Sequence, residues 1–278
     1  MKESMIKNEH QTMNQPSISK TALAEAVRDM VGGDTALNYF TYISEELGFI
    51  YFSVPGVANF RTVGSLNLAV AETLELEYTL SKMTQIFNRN QRIIKSPEQE
   101  GFDIFDHMLE DVDVMKLMFV RDPAERFAIN YRNSLSINTK QSVPREKLFG
   151  YLGISVEENL SMLDLAELLC EEQEIKTLIP QLRSQRQMTA FDLVDYSFVG
   201  HHNNWEEDYK RIAQETFGYE TPIFDPIRTF NKDPEGTAFN VQVDQDTKAA
   251  LAEAYREDYE MIDEIKETFP TGFQAGHA

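Results

Sequence analysis

The chain has 278 residues, of which 26 are Lys or Arg and 46 are Asp or Glu, for a formal net charge of −20. That balance excludes a nucleic-acid binder working through a basic face, because such proteins gain affinity by releasing counterions from phosphates. Hydrophobic residues at 42% and charged residues at 26% likewise exclude the composition of a disordered chain.

Cys170 is the only cysteine, so neither an intramolecular disulfide nor a multi-cysteine metal site can form. Residues 1–17 lack the apolar core of a signal peptide, and no run of about 18 apolar residues occurs. These features predict a cytoplasmic protein without a membrane span. They also predict a disordered polar tail over 1–16 and a single domain over 17–278.

Ser17 or Ser19 can cap a first helix whose Leu23, Ala26, Val27, Met30 and Val31 share one face and which Gly32-Gly33 ends. Leu37, Phe40, Ile43 and Leu47 predict a second helix running to Gly48. Phe49 to Val54 reads as a buried strand stopped by Pro55-Gly56, and the loop 55–61 leads into a helix over 62–71. Val114 to Val120 is nearly continuous apolar, as a strand covered on both faces should be. Arg121-Asp122-Pro123 then turns the chain into a helix carrying Phe127, Tyr131 and Leu135.

The segment 138–190 is mostly helical in pattern and is expected to lie over the sheet as a lid. A strand over 195–200 follows, then His201 to Asn204 and a helix from Trp205. Ala250, Leu251, Ala254, Met261, Ile262 and Ile265 predict one long closing helix over 246–269. Three strand-to-helix units imply an α/β fold, a P-loop-like open parallel sheet with helices on both faces. Ligands of such sheets bind beyond the carboxyl ends of the strands, where the loops 55–61, 121–123 and 200–204 would converge.

Phe119 to Arg132, FVRDPAERFAINYR, resembles the FVRDPxERxxSxYR segment of the carbohydrate-type sulfotransferases. Asp195 to Gly200 with Asn204 and Asp208 is similar to that family's DYxFVGRxENxxxD stretch, and Tyr255 to Glu260 to its closing YxxDFE helix. Ile50 to Pro55 stands where its first strand leads into a VPKxxxT loop. Three ordered matches are far more specific than any one of them.

The resemblance implies a sulfotransferase fold and transfer of a sulfuryl group from PAPS, 3′-phosphoadenosine 5′-phosphosulfate, to an acceptor hydroxyl of a carbohydrate or small molecule, with no metal. The loop residues Gly56, Val57, Ala58 and Asn59, with Thr62, would hold the 5′ end at a helix start. Arg121 would grip the 3′-phosphate as a fork, and Lys232 of Asn231-Lys232 would be the late basic loop over it.

The sequence departs from the pattern where the chemistry lies. Gly56 replaces the loop lysine, Phe60 and Arg61 its hydroxyl residues, and Ile129 the serine of the 3′-phosphate site. His201 and Asn203 replace an Arg and a Glu, and Gln181 the histidine before them. Candidate substitutes are Arg61 as the cation, Asn130 as the phosphate donor, and one of His201 and His202, here His201, as the base for the acceptor proton. A catalytically inactive sulfotransferase-fold binding protein is the alternative. A kinase-like phosphoryl transferase on the same plan is disfavoured by the missing lysine and the lack of a metal-binding Asp pattern.

Overall fold

The computed structural model describes residues 22–139, 141–232 and 242–273. The expected tail over 1–16 and the Ser17 or Ser19 cap lie outside them. The chain runs through α1 (Ala22–Val31), α2 (Asp34–Phe40), β1 (Thr41–Ser44), β2 (Phe49–Phe52) and α3 (Asn59–Thr73). Short helices α4 (Met83–Phe87), α5 (Pro97–Glu100) and α6 (Phe102–Glu110) lead to β3 (Met115–Val120) and α7 (Pro123–Asn130). Next come α8 (Val143–Leu152), α9 (Met162–Glu171), α10 (Gln173–Leu178), α11 (Gln185–Met188) and β4 (Phe198–His201). The described part closes with α12 (Trp205–Phe217), α13 (Pro226–Phe230), α14 (Gln245–Ala254) and α15 (Arg256–Thr268).

The sheet has four strands in the order β1-β2-β3-β4. β2, β3 and β4 are parallel, with Tyr51 beside Leu117 and Leu117 beside Phe198. β1 runs antiparallel to β2, with Thr41 opposite Phe52, so the sheet is mixed and not wholly parallel. The expected helix to Gly48 is thus corrected: α2 stops at Phe40, whose carbonyl accepts from Ser53 N at 2.7 Å. The short link 45–48 then allows a hairpin, which parallel strands cannot make.

Alternation along the strands sorts the core into two layers. Tyr51, Leu117, Phe119 and Phe198 face α3 and α12 through Val63, Leu66, Trp205 and Ile212. Ile50, Met118, Val120 and Val199 face α1, α6 and α15 through Val27, Phe105 and Ile265. Helices therefore cover both faces of an α/β sheet, as the apolar runs of β2 and β3 require.

The segment 138–190 shares a core with α7 and α14, where Leu148, Leu165 and Leu169 meet Phe127 and Leu251, and reaches the sheet's own layers at Met188 and Ala190. The closing helix is also corrected to two. Tyr255 breaks it with φ −117°, because its buried ring sends the hydroxyl to the Leu182 carbonyl at 2.7 Å. No described helix is long and apolar enough to cross a membrane.

Candidate functional site

β2 hands the chain to Pro55-Gly56, and two left-handed residues, Gly56 at φ 82° and Ala58 at φ 49°, turn it into α3. Val57 and Ala58 bury their side chains in the core, so they can offer a ligand only backbone. No side chain caps α3 and its first turn holds no acid, which leaves a helix start able to receive an anion.

Arg121 directly follows β3 and is fastened to this loop. Its Nη1 donates to Gly56 O at 3.2 Å and its Nε to Glu125 Oε2 at 3.3 Å. Its own peptide is clamped by the buried Gln185 side chain, which accepts from Arg121 N at 3.1 Å and donates to Arg121 O at 2.8 Å. Asp122 caps α7 by accepting from Glu125 N, and Pro123 fills the first helical position, so α7 starts directly behind the arginine.

The far side of the loop is tied down from α7. Arg126 Nε donates to Pro55 O at 3.0 Å, and Asn130 Nδ2 donates to Pro55 O at 3.1 Å and to Gln181 O at 2.8 Å. An amide nitrogen carries two hydrogens, and both are engaged. This corrects the expectation that Asn130 donates to a phosphate: it anchors the loop. Ile129 is buried and offers no donor at the serine's place.

A Cβ added at Gly56 would lie 2.9 Å from Asn130 Oδ1 and 3.0 Å from its Nδ2, an amide its two hydrogen bonds hold in place. We expect Gly56→Ala to lower stability by about 1–2 kcal/mol through its left-handed backbone alone. Combined with Asn130→Ala it should cost less than the two separate losses summed, because the residues touch. Urea denaturation of the three variants measures both.

Thr62 also corrects its assignment. Its hydroxyl donates to Ala58 O at 2.9 Å and accepts from Trp205 Nε1 at 2.8 Å, so it is buried behind the loop. Arg61 lays its guanidinium 4.1 Å above the centroid of the Trp205 ring. That places its charge at the start of α12, half-buried and beside the loop.

A cleft of about 290 Å³ opens between the loop and α2, lined by Gly56, Asn59, Phe60, Asn130 and Gln181 among others. Among the described residues, no three His, Cys, Asp or Glu side chains gather as a metal site.

A profile of the sulfotransferase family matches residues 31–263. The chain belongs to that family. Comparison with curated proteins and with solved structures returns no match.

In this sulfotransferase, His201 does not join the loop. Strand alternation puts it on the Val199 face, opposite α3, and it lines a cleft of about 400 Å³ with Asp208, Lys266 and residues 269–272. Its backbone N–H donates to Asp208 Oδ2 at 2.8 Å. Burial lowers the His201 pKa, Asp208 opposes the shift and Lys266 adds to it. Lys232 is exposed at the border of the described residues.

The lowered His201 value has a sign. The folded chain keeps the ring neutral where the unfolded chain takes a proton, so the unfolded state binds more protons below about 6.5 and stability falls as pH drops through that window. Burial raises Asp208, whose opposite contribution belongs to more acid pH. We expect the melting temperature of His201→Gln to fall less than that of wild type between pH 7.5 and about 5.5, as thermal unfolding at both values checks.

Arg126, Gln185 and Asp258 complete the sulfotransferase scaffold, although the residue pattern alone did not mark them. Asp258 accepts from Ser184 Oγ at 2.6 Å and from the backbones of Gln185 and Arg186 at 3.0 Å, with Arg126 Nη1 at 3.9 Å. Arg126 and Asp258 stand in two of the three stretches that carry the family resemblance, which was the available signal; Gln185 carried none.

Proposed function

We propose that this sulfotransferase moves a sulfuryl group from PAPS to a hydroxyl of a carbohydrate or similar small acceptor. The observation that carries this reading is the Arg121 contact with Gly56 O at 3.2 Å, which sets a fixed cationic fork beside an uncapped helix start. The backbone from Gly56 to Asn59 would hold the phosphosulfate and Arg121 the 3′-phosphate, with Lys232 adding charge near the late loop.

PAPS supplies, when bound, the sulfuryl group and a stable phosphate leaving group. The acceptor oxygen bonds to sulfur as the bridging S–O bond breaks, PAP departs with the electron pair, and the hydroxyl proton passes to solvent. Arg61 is a cation carried on the first turn of α3 itself. Lifting it from the Trp205 ring gives up about 0.5–2 kcal/mol, which interaction with charge developing on the bridging oxygen offsets.

A second reading, a catalytically inactive binding protein of this fold, is favoured by Gly56 at the lysine's place and by the donorless Ile129. Calorimetry with PAP, together with transfer of labelled sulfate from PAPS to a panel of glycosides, separates the two. We expect wild type and Arg61→Ala to bind PAP alike, with turnover of the variant lower by about 10²–10³. PAP binding without transfer by wild type selects the binding protein, and absence of PAP binding overturns the sulfuryl-transfer reading.

A further inference from the structure

The cleft beside the loop, at about 290 Å³, is at the small end of ligand sites and has room for one ring more readily than for a chain. Five of the residues lining it are aromatic. Phe60 and Phe87 meet edge to face with centroids 4.7 Å apart, and Tyr39, 68% exposed, forms the rim. Such faces stack on the C–H side of a ring.

Two of its polar atoms lack a partner. Asn59 Oδ1 and Gln181 Oε1 are buried, and among the described residues neither receives a hydrogen bond. Both residues line this cleft, and no described residue lining it carries a charge. A buried amide oxygen without a donor costs free energy that a ligand hydroxyl recovers. The phosphosulfate cannot do so, because its oxygens accept and have nothing to donate.

We propose that this cleft is the acceptor subsite and that it takes an uncharged, hydroxyl-bearing ring, read by the amide oxygens of Asn59 and Gln181. The proposal rests on the sulfuryl-transfer reading in making the ring an acceptor. It goes beyond that reading in excluding anionic rings. A uronate or sulfated ring would surrender hydration to a site with two unpaired amide oxygens and no charged side chain in its lining, the nearby Arg121 and Arg126 being turned to backbone carbonyls. A ring lacking the hydroxyls would leave those oxygens unpaired, which is how sites of this type discriminate.

The test is calorimetry in the presence of PAP, with methylumbelliferyl β-glucoside and methylumbelliferyl β-glucuronide as probes that share one aglycone. We expect the glucoside to bind wild type and the glucuronide to bind at least about tenfold more weakly. Gln181→Leu, which leaves the carbonyl that holds Asn130, should weaken the glucoside about tenfold and leave PAP affinity unchanged. Equal or tighter glucuronide binding to wild type overturns the proposal whether or not the variant folds. So does a folded Gln181→Leu with unaltered glucoside affinity. Selective glucoside binding by a protein that fails to bind PAP removes the donor reading and upholds the uncharged ligand. PAP binding without glucoside binding removes this proposal alone.

Discussion

Arg121→Ala is expected to abolish measurable PAP binding. A charge-assisted fork that loses one partner forfeits about 2–5 kcal/mol, or roughly 30-fold to several thousand-fold in Kd. The side chain is suited to this because its position is fixed on both sides: Gln185 clamps its peptide, and Gly56 O and Glu125 orient the guanidinium. Arg121→Lys keeps a charge and loses the fork, so it should retain part of the affinity. The Gly56 contact is also structural, and its removal should lower stability by about 1 kcal/mol, far less than the binding loss. Calorimetry and urea unfolding on the same samples separate these effects. Unchanged PAP affinity in folded Arg121→Ala would falsify the placement of the 3′-phosphate.

Asp258→Ala should produce the largest loss of stability. The carboxylate is fully buried, and it receives Ser184 Oγ and the backbone N–H groups of Gln185 and Arg186. Arg126, also buried, has its Nη1 3.9 Å from Asp258 Oδ2. Removing the acid leaves a buried guanidinium without its counterion and three donors without their acceptor, a loss of about 3–5 kcal/mol. The exposed Asp263, paired with Lys266 at 2.7 Å, is the control, and Asp263→Asn should change stability by less than about 0.5 kcal/mol. Because Asp258 holds the segment whose Gln185 clamps Arg121, a destabilised variant should also bind PAP more weakly. Urea denaturation at neutral pH checks the first effect.

Much of the scaffold was legible in the sequence. The runs ending at Phe52 and Val120 are apolar on both faces because helices cover both, and Arg121-Asp122-Pro123 carries its own turn and cap chemistry. β1 was hidden because Phe40 and Ile43 suit a helical stripe as well as a strand, and only pairing with β2 decides between them. The break at Tyr255 was hidden for the same kind of reason, since its hydroxyl answers to Leu182, remote in sequence. That Arg121 meets the loop 55–59 could be found from order and spacing. The roles of Asn130 and Thr62 could not, because their partners Gln181 and Trp205 are supplied by distant segments. The orientation of His201 was within reach: once β4 is carried to His201, strand parity sets it beside Val199 and away from α3.

The two isolated bridges at the rims of the sheet bear on how this protein behaves in concentrated solution. On one side Ile43 and Lys95 exchange backbone hydrogen bonds of 2.8 and 3.2 Å. On the other, Val199 N donates to Gly272 O at 2.8 Å, and Phe273 pairs with Phe198 and sets its ring edge-on at 4.8 Å. A bare outer strand is a template for a neighbouring chain and the usual seed of edge-to-edge aggregation. Here both templates are partly occupied by the chain itself, one by a connector and one by the residues that follow α15. Handling of this protein should therefore respect the segment around Phe273 as a protective selvedge: an extension that drags it off β4 would expose a growth point for fibrils along that strand.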